Sequence, residues 1–190
     1  MRDIQAVSDR GRVVWINGAF GAGKTTTARL LAQSIPGSVI LDPEEIGSML
    51  RPVLQPIAPV RDFQEWAAWR ELVAATINAV IDELPEDGPR LVIVPQTITS
   101  EAHWSQIRRA LQPGVEVVAV ALHVDPDEHH RRVTEDAEEP RALRWRLNKF
   151  EHFHTSTWVC SAFTAIETSA LTPTAAADTV QAVLTHRRPA

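Results

Sequence analysis

A glycine-rich stretch near the start of the chain holds the residues whose types and spacing could do chemistry. Residues 18–25 read Gly-Ala-Phe-Gly-Ala-Gly-Lys-Thr, which fits the spacing Gly-x-x-x-x-Gly-Lys-Thr. Glycine permits backbone conformations that turn successive N–H groups towards phosphate oxygens. In this pattern the lysine reaches the β- and γ-phosphates, and the hydroxyl group after it binds Mg²⁺. The stretch predicts a nucleoside triphosphate site, with Thr25 as metal ligand, formed by Gly18, Ala19, Phe20, Gly21, Ala22, Gly23, Lys24, Thr25 and Thr26.

The elements that must position this loop are both predicted beside it. An apolar run at residues 12–17 is typical of a central parallel strand with both faces covered. A helical pattern follows at residues 24–34 and stops at Pro36-Gly37. The start of that helix adds its positive dipole end to the anion site. A glycine-rich turn with a chance lysine is the alternative, and these flanks disfavour it.

The rest of the chain has the same mixture of short apolar runs and helical patterns. Strands are predicted at residues 38–41, 91–94, 115–124 and 163–166. Three prolines predict a loop at residues 52–59, and apolar residues at helical spacing predict one long helix from Asp62 to Leu84. We expect residues 1–190 to form a single domain, because no repeat or linker interrupts them.

Asp42 directly follows the second predicted strand. A carboxylate at this end of a parallel strand faces the crevice where such sheets bind ligands, and there it can accept a proton from a substrate hydroxyl. Asp before Pro43 and two glutamates is equally a good helix N-cap. The residues alone leave both interpretations open.

The region between the second and third strands, residues 43–88, contains Trp66, Trp69 and Arg70 on one helical stripe. The arginine either packs its stem on the tryptophans or presents its guanidinium to an anionic or polar acceptor. Tryptophans in such a stripe are more often core than ligand platform.

The third predicted strand ends in Pro95-Gln96-Thr97, where many phosphate-loop enzymes have an aspartate for Mg²⁺. Its absence argues against a fast ATPase motor or switch. Gln96 or Thr97 can hydrogen-bond a metal-bound water, and Asp42 could serve the metal as well as the acceptor.

Two charged segments follow the fourth strand. His129 and His130 are neighbours on a helix and diverge by about 100°, so we expect a solvated surface and not a metal clamp. Residues 134–150 include three arginines, Arg141, Arg144 and Arg146. This pattern is typical of a cationic lid over a triphosphate, and a charged surface helix is the alternative.

Composition limits the classes of partner. The chain has 190 residues, 44% of them hydrophobic, and a net charge of −5, which favours a soluble globular protein and disfavours nucleic acid as the main partner. The single cysteine is compatible with a reducing cytosol. Neither a signal peptide nor an apolar stretch of bilayer length is present, so we expect a cytoplasmic protein without membrane insertion.

Several segments together resemble the bacterial tunicamycin-resistance proteins. These segments are Trp15 to Thr25, Asp42-Pro43-Glu44 with Gly47, Asp62-Phe63-Gln64 with Trp69-Arg70, and Val94-Pro95 with Thr97-Ile98. More widely, the chain is similar to small phosphotransferases of the nucleotide-kinase, shikimate-kinase and chloramphenicol-phosphotransferase type. The similarity is specific over roughly the first hundred residues and only general beyond residue 134.

The resemblance implies a fold and a set of roles. The fold is a P-loop NTPase α/β/α sandwich with five parallel strands in the order 2-3-1-4-5. Asp42 would activate the acceptor hydroxyl, Arg132 would pack on adenine, and the lid arginines, chiefly Arg141 and Arg144, would act on the transferring phosphate. The acceptor would be bound within residues 43–88 and at the end of the third strand, by Asp42, Arg51, Trp69, Arg70 and Thr97.

These observations predict an ATP- and Mg²⁺-dependent phosphotransferase that acts on a small hydroxylated acceptor. The family resemblance implies that this acceptor is a tunicamycin-like antibiotic. The rival hypothesis is an ATP-binding protein that sequesters a drug or senses a metabolite with little turnover, which the missing strand-three acid favours. A GTP-driven switch would need guanine-specificity motifs that the chain lacks.

Overall fold

Five parallel strands form the centre of the molecule. The computed structural model describes residues 10–135, 150 and 153–186. The strands are β1 (Gly11–Gly18), β2 (Val39–Ile40), β3 (Leu91–Pro95), β4 (Val115–His123) and β5 (Thr164–Glu167). They pair in the order β2-β3-β1-β4-β5, which confirms the implied order and the α/β P-loop kinase-like fold.

Helices follow each of the five strands along the chain. They are α1 (Lys24–Ser34), α2 (Pro43–Leu54), α3 (Ala67–Glu83), α4 (Glu101–Ala110), α5 (Pro126–Glu135), α6 (Thr157–Ala162) and α7 (Pro173–His186). Consecutive residues Val13–Ile16 in β1 and Leu91–Val94 in β3 are all buried. Because alternate side chains of a strand point to opposite faces, both faces of the sheet are covered.

The core extends from the sheet to the helices through tryptophans. Trp15 on β1 meets Trp104 of α4 edge-on, with ring centroids 5.0 Å apart, and Trp104 lies 4.8 Å from Phe163. The Trp15 indole donates a hydrogen bond to the Gln96 carbonyl at 3.1 Å. These contacts fix β1 relative to the end of β3, where the site lies.

The predicted single helix from Asp62 to Leu84 is wrong. A one-turn 3-10 helix covers Phe63–Glu65, and α3 begins only at Ala67. The break occurs because Asp62 and Glu65 form a capping box around the short turn, while Trp66 is extended. The Trp66 indole donates a hydrogen bond to the Ala58 carbonyl at 2.8 Å, which stabilises this turn against the preceding loop.

The predicted loop at residues 52–59 is also wrong at its start. Helix α2 continues through Pro52 to Leu54. A proline near the C-terminus removes one helical hydrogen bond without ending the helix, and Gln55 N–H still bonds to the Arg51 carbonyl at 3.0 Å. Because α2 continues to Leu54, Arg51 lies within the helix, and the helix sets the direction of its side chain.

Among the described residues, none of the helices combines the length and apolar character that a membrane span requires.

Candidate active site

The phosphate loop joins β1 to α1 through residues 19–23. Gly21 and Gly23 have φ of +82° and +92°, in the left-handed region that favours glycine. A Cβ atom at Gly21 would lie 2.7 Å from the Val133 side chain, whereas at Gly23 nothing lies within 4 Å. Gly21 is therefore packed against α5, while Gly23 faces open space into which a ligand can fit.

Lys24 folds back over this loop. Its ammonium donates to the Ala19 carbonyl at 2.9 Å and lies 5.1 Å from the centroid of the Phe20 ring. Burial lowers the pKa of Lys24 to about 8, although the negative charges of Glu44 and Asp42 oppose that shift. The positive charge of Lys24 is therefore stabilised by two carboxylates, those of Glu44 and Asp42.

A cavity of about 590 Å³ opens on the α5 side of the loop. Its lining comes from the loop and the start of α1, from α5, and from residues 168–173. Arg132 lines it and is fixed by Glu128 Oε1 at 2.7 Å and the Thr168 carbonyl at 2.8 Å. Hydrogen bonds from Arg131 and Arg132 lower the pKa of Glu128 to about 2, so this glutamate stays ionised. The cavity can accept the nucleoside part of a triphosphate.

The expectation that both histidines of α5 are solvated is wrong for His129. Its side chain is only 1% exposed, and Nε2 lies 2.6 Å from the Phe20 carbonyl oxygen. The ring stacks on Phe150 at 4.0 Å between centroids. Burial lowers the pKa of His129, which favours the neutral ring that donates its Nε2 hydrogen to the carbonyl. His130 is exposed, as expected.

A second cavity, here called the acceptor cavity, opens on the other side of the loop. It measures about 230 Å³. Its lining comes from the loop, α2, the 3-10 turn and the end of β3, and consists of Phe20, Glu44, Arg51, Arg61, Asp62, Phe63, Gln64, Gln96, Thr97 and Thr99. Hydroxyl, amide, carboxylate and guanidinium groups therefore surround a space of small-molecule size.

Asp42 lies between β2 and α2 and caps the helix. Its Oδ1 accepts a hydrogen bond from the Glu44 backbone N–H at 2.9 Å. The lining of the acceptor cavity includes Glu44 and does not include Asp42. Both carboxylates act on the pKa of Lys24, Glu44 more strongly. The capping interpretation of Asp42 is thus confirmed, and Glu44 joins it as a second carboxylate at the site.

The other residues expected to bind the acceptor divide into two groups. Arg51 and Thr97 line the acceptor cavity. Trp69 is fully buried, and its indole donates to the Pro43 carbonyl at 2.9 Å, so it supports α2 from the core. Arg70 is outside the cavity lining and bonds to Gln106 Oε1 at 2.6 Å. The structure therefore brings two of these four residues together at the cavity.

The end of β3 is polar and buried. The Thr97 hydroxyl donates to the Gly18 carbonyl at 2.6 Å, and Gln96 Nε2 donates to the Thr97 carbonyl at 3.0 Å. Gln96 Oε1 is buried and has no hydrogen-bond partner among the residues that the structure describes. Within the described part of the chain, no group of three or more His, Cys, Asp or Glu side chains could hold a metal ion.

The arginines of the expected lid, Arg141, Arg144 and Arg146, lie outside the described residues.

Sequence reasoning missed three residues that line or support the site: His129, Glu44 and Arg61. For Glu44 the spacing was a usable signal, because it stands in the first turn of the helix that Asp42 begins. His129 had no such signal, since its partners are distant in the chain: Phe20 lies more than a hundred residues earlier, and Phe150 lies about twenty residues later.

Known proteins resemble this chain in family and in fold. The model of an AAA domain family matches residues 13–154. The chain belongs to this family. No curated protein matches its sequence. Its fold is the α/β P-loop kinase-like fold described above.

Among solved structures, the tunicamycin resistance protein of Deinococcus radiodurans is 26% identical, with a TM-score of 0.61 over 92% of this chain and 95% of that one. A sugar kinase from Janibacter sp. HTCC2649 is 18% identical, with a TM-score of 0.63 over 92% and 95% of the two chains. Shikimate kinase from Acinetobacter baumannii, solved with shikimate, is 18% identical, with a TM-score of 0.62 over 95% and 97%. The last two share the fold.

Proposed function

We propose that this AAA-domain protein transfers the γ-phosphoryl group of Mg·ATP to a hydroxyl group of a small acceptor. One observation carries the proposal: two cavities meet at the phosphate loop, with Gly21 lining one and its neighbour Phe20 lining the other. A triphosphate on the loop would have its nucleoside on the α5 side and its γ-phosphate towards the acceptor cavity. This arrangement supplies the positioning on which phosphoryl transfer mainly depends.

Each group at the site has a proposed role in this transfer. Loop N–H groups and Lys24 hold the triphosphate, Thr25 binds Mg²⁺, and Arg132 contacts the base. The acceptor oxygen forms a bond to the γ-phosphorus while the bond from that phosphorus to the β–γ bridging oxygen breaks, and ADP leaves. Arg141 and Arg144 would neutralise charge on the transferring group. The proton of the acceptor hydroxyl would pass to a carboxylate, for which Asp42 and Glu44 are the two candidates.

For the acceptor's identity, the proposal extends to a nucleoside antibiotic such as tunicamycin, with drug resistance as the consequence. Its support is the sequence resemblance and the 26% identity to the Deinococcus radiodurans protein. The acceptor cavity measures about 230 Å³, so it would enclose only the reacting part of a large drug.

A second candidate is an ATP-binding protein that sequesters its small ligand without phosphorylating it. The observation that favours it is the end of β3, where Gln96 and Thr97 stand and a metal-binding carboxylate does not.

The test measures transfer of labelled γ-phosphate from Mg·ATP to tunicamycin and to a panel of small hydroxylated compounds. It compares wild type with Asp42→Asn, Glu44→Gln and the control Glu45→Gln, whose exposed side chain is on the same turn but outside the cavity lining. We expect loss of the proton-accepting carboxylate to lower kcat about a hundredfold, while the Kd for ATP changes less than threefold.

The outcomes separate the candidates. If wild type and Glu45→Gln label an acceptor and Glu44→Gln does not, Glu44 accepts the proton. If Glu44→Gln still labels the acceptor and Asp42→Asn does not, Asp42 accepts the proton. Tight binding of ATP and drug with no labelled product would favour sequestration. Stabilisation by GTP in preference to ATP would contradict both candidates.

A further inference from the structure

Phe20 is the one large side chain of the loop that joins β1 to α1. Residues 19–23 read Ala-Phe-Gly-Ala-Gly, so the other four are alanine or glycine. The centroid of the Phe20 ring lies 5.1 Å from Nζ of Lys24, within the range of a cation–π contact. Phe20 also lines the acceptor cavity, whereas Lys24 does not belong to that lining. Phe20 therefore contacts the lysine of the phosphate loop and borders the space proposed for the acceptor.

Backbone atoms hold the loop around Phe20 independently of its ring. The Phe20 carbonyl oxygen lies 2.6 Å from Nε2 of buried His129. Ala19 and Ala22 are both buried, and the Ala22 N–H donates to the Ala19 carbonyl at 3.1 Å. Because none of these contacts uses the Phe20 side chain, a change of that side chain leaves them in place.

The rest of the acceptor cavity is polar, which matters for water. Its lining includes Glu44, Gln96 and Thr97, and a polar space of about 230 Å³ holds water when no ligand fills it. Water can replace the acceptor: its oxygen forms a bond to the γ-phosphorus while the bond to the β–γ bridging oxygen breaks. ADP, inorganic phosphate and a proton are then released. A phosphotransferase has to suppress this side reaction, and exclusion of water from the γ-phosphate suppresses it.

We infer that the Phe20 ring keeps water away from the γ-phosphate and so favours transfer to the acceptor over hydrolysis of ATP. The inference rests on the proposed function and adds to it a residue that selects the acceptor over water. The ring offers water no hydrogen-bond donor, and it contacts Lys24, which reaches the β- and γ-phosphates in this loop pattern. Burial lowers the pKa of Lys24 to about 8, which agrees with an ammonium that is shielded from solvent.

The first test measures the release of labelled inorganic phosphate from Mg·ATP by the full chain, with no acceptor present. It compares wild type with Phe20→Ala, which removes the ring, and with the matched variant Phe20→Leu, which keeps most of the apolar volume. We expect Phe20→Ala to hydrolyse ATP about tenfold faster than wild type and Phe20→Leu at most about twofold faster, because only the alanine leaves room for a water. Addition of Lys24→Ala to Phe20→Ala should abolish hydrolysis, which excludes a contaminating ATPase.

A second measurement needs no turnover, because it follows the binding of ATP as the pH rises. Loss of the ring exposes the Lys24 ammonium to water, and solvation favours the charged form, so the pKa of Lys24 should rise from about 8. The Kd for ATP should therefore begin to increase about one pH unit higher in Phe20→Ala than in wild type. Glu44, Asp42 and His129 also interact with this charge, and all three are unchanged in the variant.

The inference requires both changes in Phe20→Ala, and the absence of either one would overturn it, as would an equal gain of hydrolysis in Phe20→Leu. The same proteins are then tested with the panel of hydroxylated compounds, where Phe20→Ala should divert label from the acceptor to inorganic phosphate. Transfer by wild type together with unchanged hydrolysis in Phe20→Ala would support the kinase proposal and overturn the inference. Both expected changes without a labelled acceptor for any protein would support the exclusion of water by Phe20 and contradict the kinase proposal.

Discussion

Lys24 supplies a positive charge at the phosphate loop. Its ammonium is held by a backbone carbonyl and loses solvation on burial, so its pKa falls to about 8. Glu44 and Asp42 limit the fall, because each stabilises the positive charge. The lysine is therefore mostly protonated at pH 7 and titrates at a pH where most lysines do not.

This titration predicts a pH dependence of ATP binding. The triphosphate attracts the protonated lysine, and binding raises the lysine's pKa. The Kd for ATP should therefore be nearly constant up to pH 7.5 and should increase by up to about tenfold per pH unit as the pH rises through 8. Calorimetric titrations between pH 7 and 10 measure it.

The matched control is Lys24→Arg, whose guanidinium stays protonated over this range. Its Kd, whatever its absolute value, should lack the increase above pH 8. An equal rise in wild type and Lys24→Arg would assign the titration to another group.

At the scale of elements, helix α5 fixes the phosphate loop. His129 bonds to the Phe20 carbonyl, and Val133 packs where Gly21 leaves room. The same helix presents Arg132 to the cavity of about 590 Å³. One helix thus shapes the loop and also lines the proposed site for the base.

We expect His129→Ala to raise the Kd for ATP about tenfold, because the Phe20 carbonyl loses a hydrogen bond of about 1 kcal/mol and the loop loses a packing partner. His129→Asn keeps a donor and should recover part of the affinity. His130→Ala, an exposed neighbour on the same helix, is the control and should bind ATP like wild type.

Calorimetry gives these affinities, and thermal unfolding shows whether each variant is folded. An unchanged Kd in a folded His129→Ala protein would mean that the loop keeps its shape without the His129 side chain.

At the scale of the whole molecule, buried Asn17 joins the phosphate loop to the end of β3. Its Oδ1 accepts hydrogen bonds from the N–H groups of Gly18 and Ile98, both at 2.9 Å, and its Nδ2 donates to the Ile98 carbonyl at 3.0 Å. The side chain is 0% exposed. One amide therefore connects the phosphate loop to the segment that lines the acceptor cavity.

Removal of this amide should destabilise the fold. Asn17→Ala leaves buried backbone groups without partners, and we expect the free energy of unfolding to fall by about 3 kcal/mol. Chemical denaturation measures it. The control is Asn78→Ala, because Asn78 also bonds a carbonyl and an N–H but lies within reach of solvent. Its loss should cost about 1 kcal/mol or less. Equal costs would contradict the role of burial.

Much of this architecture follows from local sequence. The apolar runs identify all five strands, and the spacing of glycines, lysine and threonine identifies the phosphate loop between β1 and α1. These features are set by residues adjacent in the chain, where periodicity and backbone conformation act directly. The periodicity of apolar residues predicted one helix through Asp62–Trp66, and this prediction was wrong. A capping box and an extended tryptophan interrupt the helix there, although the apolar spacing continues.

The sequence alone determined the fold class, the phosphate loop and the carboxylate that ends β2. Only the tertiary structure decided that His129 is buried under the loop, that Trp69 supports α2 from the core, and that Arg51 and Arg61 line one cavity with Gln96. The physical reason is that burial and long-range hydrogen bonds depend on which distant segments the sheet order brings together, and no local pattern records those partners.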